Sequence, residues 1–258
     1  MADLKKVHIL VTRPVHQAEK LCLLIRENNG IPIRFPTLKI IPLILKRDEI
    51  EHYLTKADWF IFTSTNAVHY YCSQLDDAKM CDLKTKNCLA IGKATAQALT
   101  TAGLNVDLMP AHGYNSEALL NLEALQDVSQ KKIVIIRGEN GRETLADTLK
   151  RRGANVNYQD VYRREIPEID CTNVLQLITK KHLDLITITS GEAIQNLVEM
   201  LPESQHDLLK KIPLIVVSER IQTIAKSLGF ETVALAQMPS DDAILKTITT
   251  IINGEYSG

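Results

Sequence analysis

Short apolar runs alternate along the chain with amphipathic stretches, the pattern of repeated β-α units. Val7–Thr12 is β-rich and unbroken, as expected of a strand buried on both faces. Pro14 follows and suits the first turn of a helix. Ala18, Leu21, Cys22 and Ile25 fall at helical spacing, and Gly30 is placed to stop that helix. The same reading recurs: strands at Trp59–Phe62, Cys88–Ile91, Ile133–Ile136, Leu185–Ile188 and Leu214–Val217, each with a helix behind it. Three of those helices are placed from about Asn66, from Ala94 to Thr101 and from Glu143 to Arg151. The fold class predicted is α/β, with doubly wound parallel sheets.

The units also repeat as a set. Ile9–Arg13, a helix and Gly30 answer Ile133–Arg137, a helix and Gly153. Asp58–Ser64 answers Asp184–Ser190, and Leu89–Gly92 with Gly103 answers Ile215–Ser218 with Gly229. Pro110–Ser116 answers the stretch ending in Pro239-Ser240. All four correspondences share an offset of roughly 125 residues, which predicts a tandem duplication of a half-chain rather than a solenoid. Two connectors, Phe35–Leu43 and Asp160–Pro167, are extended, proline-bounded and lack helical periodicity. Side by side they would form a two-stranded linker. One domain then combines residues 1–37 with 167–258, and the other holds 38–166. A simple split near Gln130 is the alternative. The cleft between two such domains is the expected place of action.

Composition narrows the function. The 258 residues suffice for two small domains, and 45% apolar with 24% charged residues supports packed cores. A formal charge of −1 lacks the basic excess of a nucleic-acid binder. Five cysteines without a CxxC pair read as reduced cytosolic thiols, not as a disulfide framework or zinc site. The opening Met1–Lys6 leads straight into a strand, so no signal peptide is expected, and no apolar run approaches the ~20 residues of a membrane span. A cytoplasmic location follows. There is no GxGxxG after the first strand, no Walker A sequence, no HExxH and no GxSxG. The seven histidines are scattered. Neither a metal nor a cofactor is indicated.

The candidate chemistry lies at the strand-to-helix turns, where parallel α/β sheets bind ligands. Small and hydroxyl residues occupy them: Thr63, Ser64 and Asn66; Gly92, Lys93 and Thr95; Ser190 and Gly191; and Ser218. Arg13 and the pair Arg137-Gly138 stand at two more. Helix N-termini present free N–H groups and a positive dipole end to carboxylates or phosphates. Ser, Thr and Asn are equally the ordinary N-caps. Six such turns together favour a site for an anion-rich ligand.

Taken in order, several strings resemble the uroporphyrinogen-III synthase family. They are Leu10–Pro14 with Gln17; Phe35-Pro36 with Ile40 and Pro42; Asp58–Val68; Ala90–Ala96; Arg137-Gly138 with Gly141-Arg142 and Leu145; Val161-Tyr162; and Thr189-Ser190. The resemblance implies two α/β domains joined by a two-stranded linker. It implies a cytoplasmic, monomeric lyase without metal or cofactor, with possible transient contact to the upstream bilane-forming enzyme. Such an enzyme closes linear hydroxymethylbilane into uroporphyrinogen III, losing water and inverting ring D. The substrate's acetate and propionate carboxylates suit a site of helix N-termini, backbone N–H groups and hydroxyls, which explains how a chain of charge −1 could hold a polyanion. Tyr162 is the candidate acid for the departing hydroxide, since a phenol with a pKa near 10 is protonated at neutrality. Thr95, Ser64 and Ser190 match family positions and become carboxylate or pyrrole contacts; Arg13, Arg137 and Lys93 could pair with propionates. The second repeat departs from the pattern. It reads Ser218–Gln222 with Ile221 where the first has Thr95, so Ser218 is the substitute candidate there. The competing readings are a cytosolic two-domain binding protein for a small polyanion and a phosphosugar or nucleotide-sugar enzyme.

Overall fold

The computed structural model describes residues 3–141 and 143–254, so Arg142 of the glycine-arginine string lies outside the described residues. In chain order the first elements are β1 (His8–Val11), α1 (Val15–Glu27), β2 (Ile31–Arg34), β3 (Lys39–Pro42) and α2 (Arg47–Lys56). Then come β4 (Trp59–Phe62), α3 (Thr65–Cys72), α4 (Asp77–Lys84), β5 (Asn87–Ala90), α5 (Lys93–Thr101) and α6 (Ser116–Leu120). The middle is β6 (Lys132–Gly138), α7 (Thr144–Arg151), β7 (Asn155–Glu165) and α8 (Thr172–Thr179). The chain closes with β8 (Leu185–Ile188), α9 (Gly191–Met200), α10 (His206–Leu209), β9 (Leu214–Val216), α11 (Glu219–Ser227), β10 (Val233–Leu235) and α12 (Asp241–Ile252).

The chain divides into two compact units, one holding the residues through Lys39 together with those from Glu165 onward, the other Ile40–Arg164. The first unit is a five-stranded sheet of order β10-β9-β8-β1-β2. Every neighbouring pair in it is parallel. Alternation along the strands sends side chains to two faces. Leu10, Ile186, Ile188, Leu214 and Val216 meet α8, α9 and α11 on one face. Ile9, Val11, Leu185 and Ile215 meet Ala18, Leu21, Cys22 and Ile25 of α1 and Ile244 and Ile248 of α12 on the other. Strands covered on both sides have no polar face to show, which is why they read as unbroken apolar runs.

The second unit has the sheet order β3-β7-β6-β4-β5. Its β4–β5, β4–β6 and β6–β7 pairs are parallel. Phe60, Phe62, Val134 and Ile136 pack with α2, α3, α4 and α5, while Ile61, Leu89, Ile133 and Ile135 pack with α6 and α7. Leu89 also bridges in parallel to Leu108, in the stretch that follows α5. Burial pushes the thiol of Cys72 up to about 11 and that of Cys88 to about 12, so both stay protonated at neutral pH.

Three sequence expectations change. Gly30 does not supply the left-handed turn after α1; Asn29 does, at φ 60°. Gly30 is there for room, because a Cβ on it would lie 2.8 Å from Ile25 Cγ2 and 2.9 Å from Leu4 Cδ1. Pro14 is the N-cap of α1 and not a residue of its first turn. The two connectors are only partly extended in the expected places: β3 covers Lys39–Pro42, while β7 begins far earlier, at Asn155, and stops at Glu165. The two strands are neighbours, and Leu43 N–H donates to the Val161 carbonyl at 3.0 Å.

Candidate active site

A parallel sheet opens a crevice at its carboxyl edge where adjacent strands lead off in opposite directions. In the second unit that point lies between β4 and β6. From β4 the chain passes through α3 to β5 on one side; from β6 it passes through α7 to β7 on the other. Thr63 and Ser64 leave β4 there, and Arg137 and Gly138 end β6. A pocket of ≈ 280 Å³ sits at this point, and its wall includes Thr63, Ser64, Arg137, Gly138, Gly141, Tyr162 and Arg164.

Each group has local partners. Ser64 caps α3: its Oγ accepts from Ala67 N–H at 3.0 Å. The same Oγ lies 3.1 Å from the Tyr162 hydroxyl. Thr63 donates its hydroxyl to the Ile136 carbonyl at 3.1 Å, tying β4 to β6 at the lip of the crevice. The β6–β7 register shifts between Arg137 and Gly138, so that Arg137 faces Asp160 while Gly138 faces Tyr162. Such a bulge re-aims the side chain beside it. Tyr162 is 5% exposed, with the Tyr70 ring 6.0 Å away on its flank.

Arg137 is held by its own unit. Its Nε donates to Asp160 at 2.9 Å, and its Nη1 donates to Glu143 at 3.0 Å and to the Gly141 carbonyl at 3.2 Å. Its guanidinium lies 3.5 Å from the centre of the Tyr158 ring, and the Tyr158 hydroxyl donates to Glu143. This is a structural clamp at the end of β6, and the charge expected to meet a propionate is already matched.

The remaining expected residues fall elsewhere. Lys93, at the start of α5, stands 5.3 Å from the Tyr114 ring centre, and its hydrogen bond with Tyr114 raises its pKa. Thr95 is 4% exposed, as is its counterpart Ile221 in the other unit, so both side chains are packed inward. Asn66 lies half-buried in the first turn of α3.

The first unit has its own switch point, between β1 and β8. Arg13 stands there in an ion pair with Asp241, both largely buried. Ser190 caps α9 by accepting from Ala193 N–H at 3.0 Å, and Ser218 caps α11 by accepting from Ile221 N–H at 3.4 Å. Gly191 is buried, and a Cβ on it would lie 2.8 Å from Ile224 Cδ1. Behind them lies a buried polar knot. Thr12 Oγ1 donates to the Thr187 carbonyl at 2.7 Å, Thr187 Oγ1 to the Leu10 carbonyl at 3.1 Å, and Asn196 Nδ2 to the Thr37 carbonyl at 2.8 Å.

Thr63, Ser64, Arg137, Gly138 and Tyr162 are therefore brought into one pocket. The sequence reading missed Arg164 and Ser116, which also line it. Strand periodicity held the signal for Arg164, because it follows Tyr162 by two residues on β7 and so shares its face. Among the described residues no three His, Cys, Asp or Glu side chains gather as a metal site, and no helix is long and apolar enough to cross a membrane.

The family model described as Uroporphyrinogen-III synthase HemD matches residues 19–246. Uroporphyrinogen-III synthase of Escherichia coli is 32% identical over 93% of this chain and 99% of its own. That of Salmonella typhimurium is likewise 32% identical, over the same shares. Among solved structures, uroporphyrinogen III synthase of Thermus thermophilus superposes with a TM-score of 0.67 at 17% identity, covering 97% of this chain and 100% of that one. The Helicobacter pylori enzyme superposes at 0.66 and 16% identity, covering 95% and 99%. These two share its α/β fold with parallel sheets. With the family model spanning most of its length and two relatives at 32% identity, the chain belongs to the uroporphyrinogen-III synthase family.

Proposed function

We propose that this protein closes hydroxymethylbilane into uroporphyrinogen III, with Tyr162 as the proton donor to the departing hydroxide. Family membership supports the reaction. The observation that carries the role of Tyr162 is its hydroxyl, beside Ser64 in a pocket at the switch point of a parallel sheet. In this reading the C–O bond of the hydroxymethyl group breaks with its electron pair going to oxygen. The phenol proton follows, and water leaves. An azafulvene-type cation and a Tyr162 phenolate remain. Ring D attacks through its substituted carbon, and the spiro intermediate reopens and recloses inverted. The proton lost from carbon at ring closure returns to the phenolate, which resets the acid. Most of the catalysis is positioning, because the cation is resonance-stabilised and an unguided bilane closes without inversion.

Substrate carboxylates meet Arg164 at the pocket wall and backbone N–H groups at the starts of α3 and α5. Arg137 is not offered as a carboxylate ligand, since Asp160 and Glu143 hold it. We take the two units as copies joined by β3 and the stretch 160–167 as a two-stranded linker. Supporting this is the common order of the sheets: β9-β8-β1-β2 in one and β5-β4-β6-β7 in the other, with equivalent strands about 125 residues apart.

The test is an isomer assay. Hydroxymethylbilane is generated in place, the protein added, and the oxidised porphyrins separated into types I and III. Type III is expected in proportion to added protein. Tyr162→Phe should lower its rate about tenfold with the fold intact, below the ~10²–10⁴ of a full general acid because ionisation is already facile. Only type I from folded wild-type protein would sink the synthase reading, and full activity in Tyr162→Phe would sink the acid.

A further inference from the structure

The Tyr162 ring lies against the backbone of Gly138. A Cβ at position 138 would stand 2.6 Å from both Cε2 and Cζ of the ring and 2.9 Å from its hydroxyl oxygen. No side chain fits there while the ring keeps its place, because the neighbour is a rigid ring. The backbone holds the same register, as Glu139 N–H donates to the Tyr162 carbonyl at 2.8 Å. At the other end of the phenol stands Ser64 Oγ, at 3.1 Å. That oxygen already accepts from Ala67 N–H, so its lone pairs are half used and its own proton is available. With the Ser64 hydroxyl donating to the phenol oxygen, the phenol proton is directed away from Ser64, and the same hydrogen bond stabilises the phenolate once that proton has left.

We infer that Gly138 and Ser64 are positioning residues for Tyr162: Gly138 gives the ring its seat, and Ser64 orients its proton and steadies the phenolate. The inference rests on the reading of Tyr162 as acid. It reassigns both residues from substrate contacts to groups that act through the phenol. A contact with substrate would be felt in KM, whereas a positioning role is felt in kcat and vanishes when the phenol is gone.

The experiment measures type III formation for the full chain across a double-mutant cycle. The variants are Gly138→Ala, Ser64→Gly, Tyr162→Phe, and each of the first two combined with Tyr162→Phe. Glycine is chosen at position 64 because it is tolerated as an N-cap, so the hydroxyl is removed without losing the helix start. Each single change is expected to lower kcat about fivefold or more with KM within about twofold, and neither should lower it further in the Tyr162→Phe background. Ser64→Thr, which keeps the hydroxyl, should retain at least about half of the wild-type kcat. Losses that multiply in the Tyr162→Phe background, or that fall on KM, would overturn the inference while leaving the acid in place. Should Gly138→Ala not fold, as thermal melting would report, the Ser64 arm decides alone. Wild-type levels of type III from Tyr162→Phe would instead remove the acid, and the inference with it.

Discussion

At the scale of single residues, Arg137 shows how position and role separate. It stands at the carboxyl end of β6, where an anion-binding arginine belongs, yet Asp160, Glu143 and the face of Tyr158 hold it. Hydrogen bonds from Tyr158 and Arg137 lower the pKa of Glu143 below its ordinary 4.5. A carboxylate whose folded pKa is depressed contributes stability that is full above its unfolded value and is lost as pH falls through the folded one. Glu143→Gln should therefore flatten the acid limb of the stability curve, with wild type and variant converging on the acid side of 4.5. Urea unfolding from neutral pH downward measures this, and parallel curves would show that Glu143 is unlinked. The sequence displayed Arg137 but not its partners. Asp160 lies opposite Arg137 on the neighbouring strand β7, and nothing in the sequence around either residue names that pairing. Tyr162 was legible by family resemblance alone, because nothing local to a strand tyrosine distinguishes a pocket from a core. Gly138, expected as a substrate contact, lies against the Tyr162 ring, where a Cβ would stand 2.6 Å from Cε2 and Cζ.

At the scale of elements, the central strands were readable and the edge strands were not. Trp59–Phe62 and Leu185–Ile188 match β4 and β8 residue for residue, since strands covered on both faces leave a continuous apolar signature. Ile31–Arg34 escaped notice because β2 is an edge strand with a half-exposed pattern and a proline, which edges tolerate. Val233–Leu235 is the opposite edge and only three residues long. The serine turns proved to be helix caps as well as candidate ligands, so their substitution has a cost in stability that must be separated from activity. Ser190→Ala should destabilise by about 1 kcal/mol, the usual loss of a serine N-cap. Ser218→Ala should cost less, because its Oγ sits 3.4 Å from the N–H it caps against 3.0 Å for Ser190. Equal shifts in urea midpoint for the two variants would contradict that ranking.

At the scale of the whole molecule, the two units differ in how they can be assembled. The second unit is one continuous segment, Ile40–Arg164, whereas the first needs β1 to meet β8, about 175 residues further along. Closing so long a loop before any contact rewards it slows a sheet's formation. Pulse-labelled hydrogen exchange during refolding should show β4 and β6 amides protected before those of β1 and β8; simultaneous protection would argue against this order. The paths of β3 and β7 were not legible in the sequence, because extended segments carry no pattern that names their neighbour. The strand orders also have a historical corollary. Each sheet sets a strand pair from the first half of the chain, β1–β2 or β4–β5, beside a pair from the second, β8–β9 or β6–β7. If the two halves are copies, as proposed above, a half-length ancestor could not have completed either sheet alone. It would have existed as a dimer that traded strand pairs, with two identical crevices by symmetry. On that proposal, fusion of two copies would have released the symmetry. One crevice would then be free to become the seat of Tyr162, while at the other β1 and β8 are tied by the buried hydroxyls of Thr12 and Thr187.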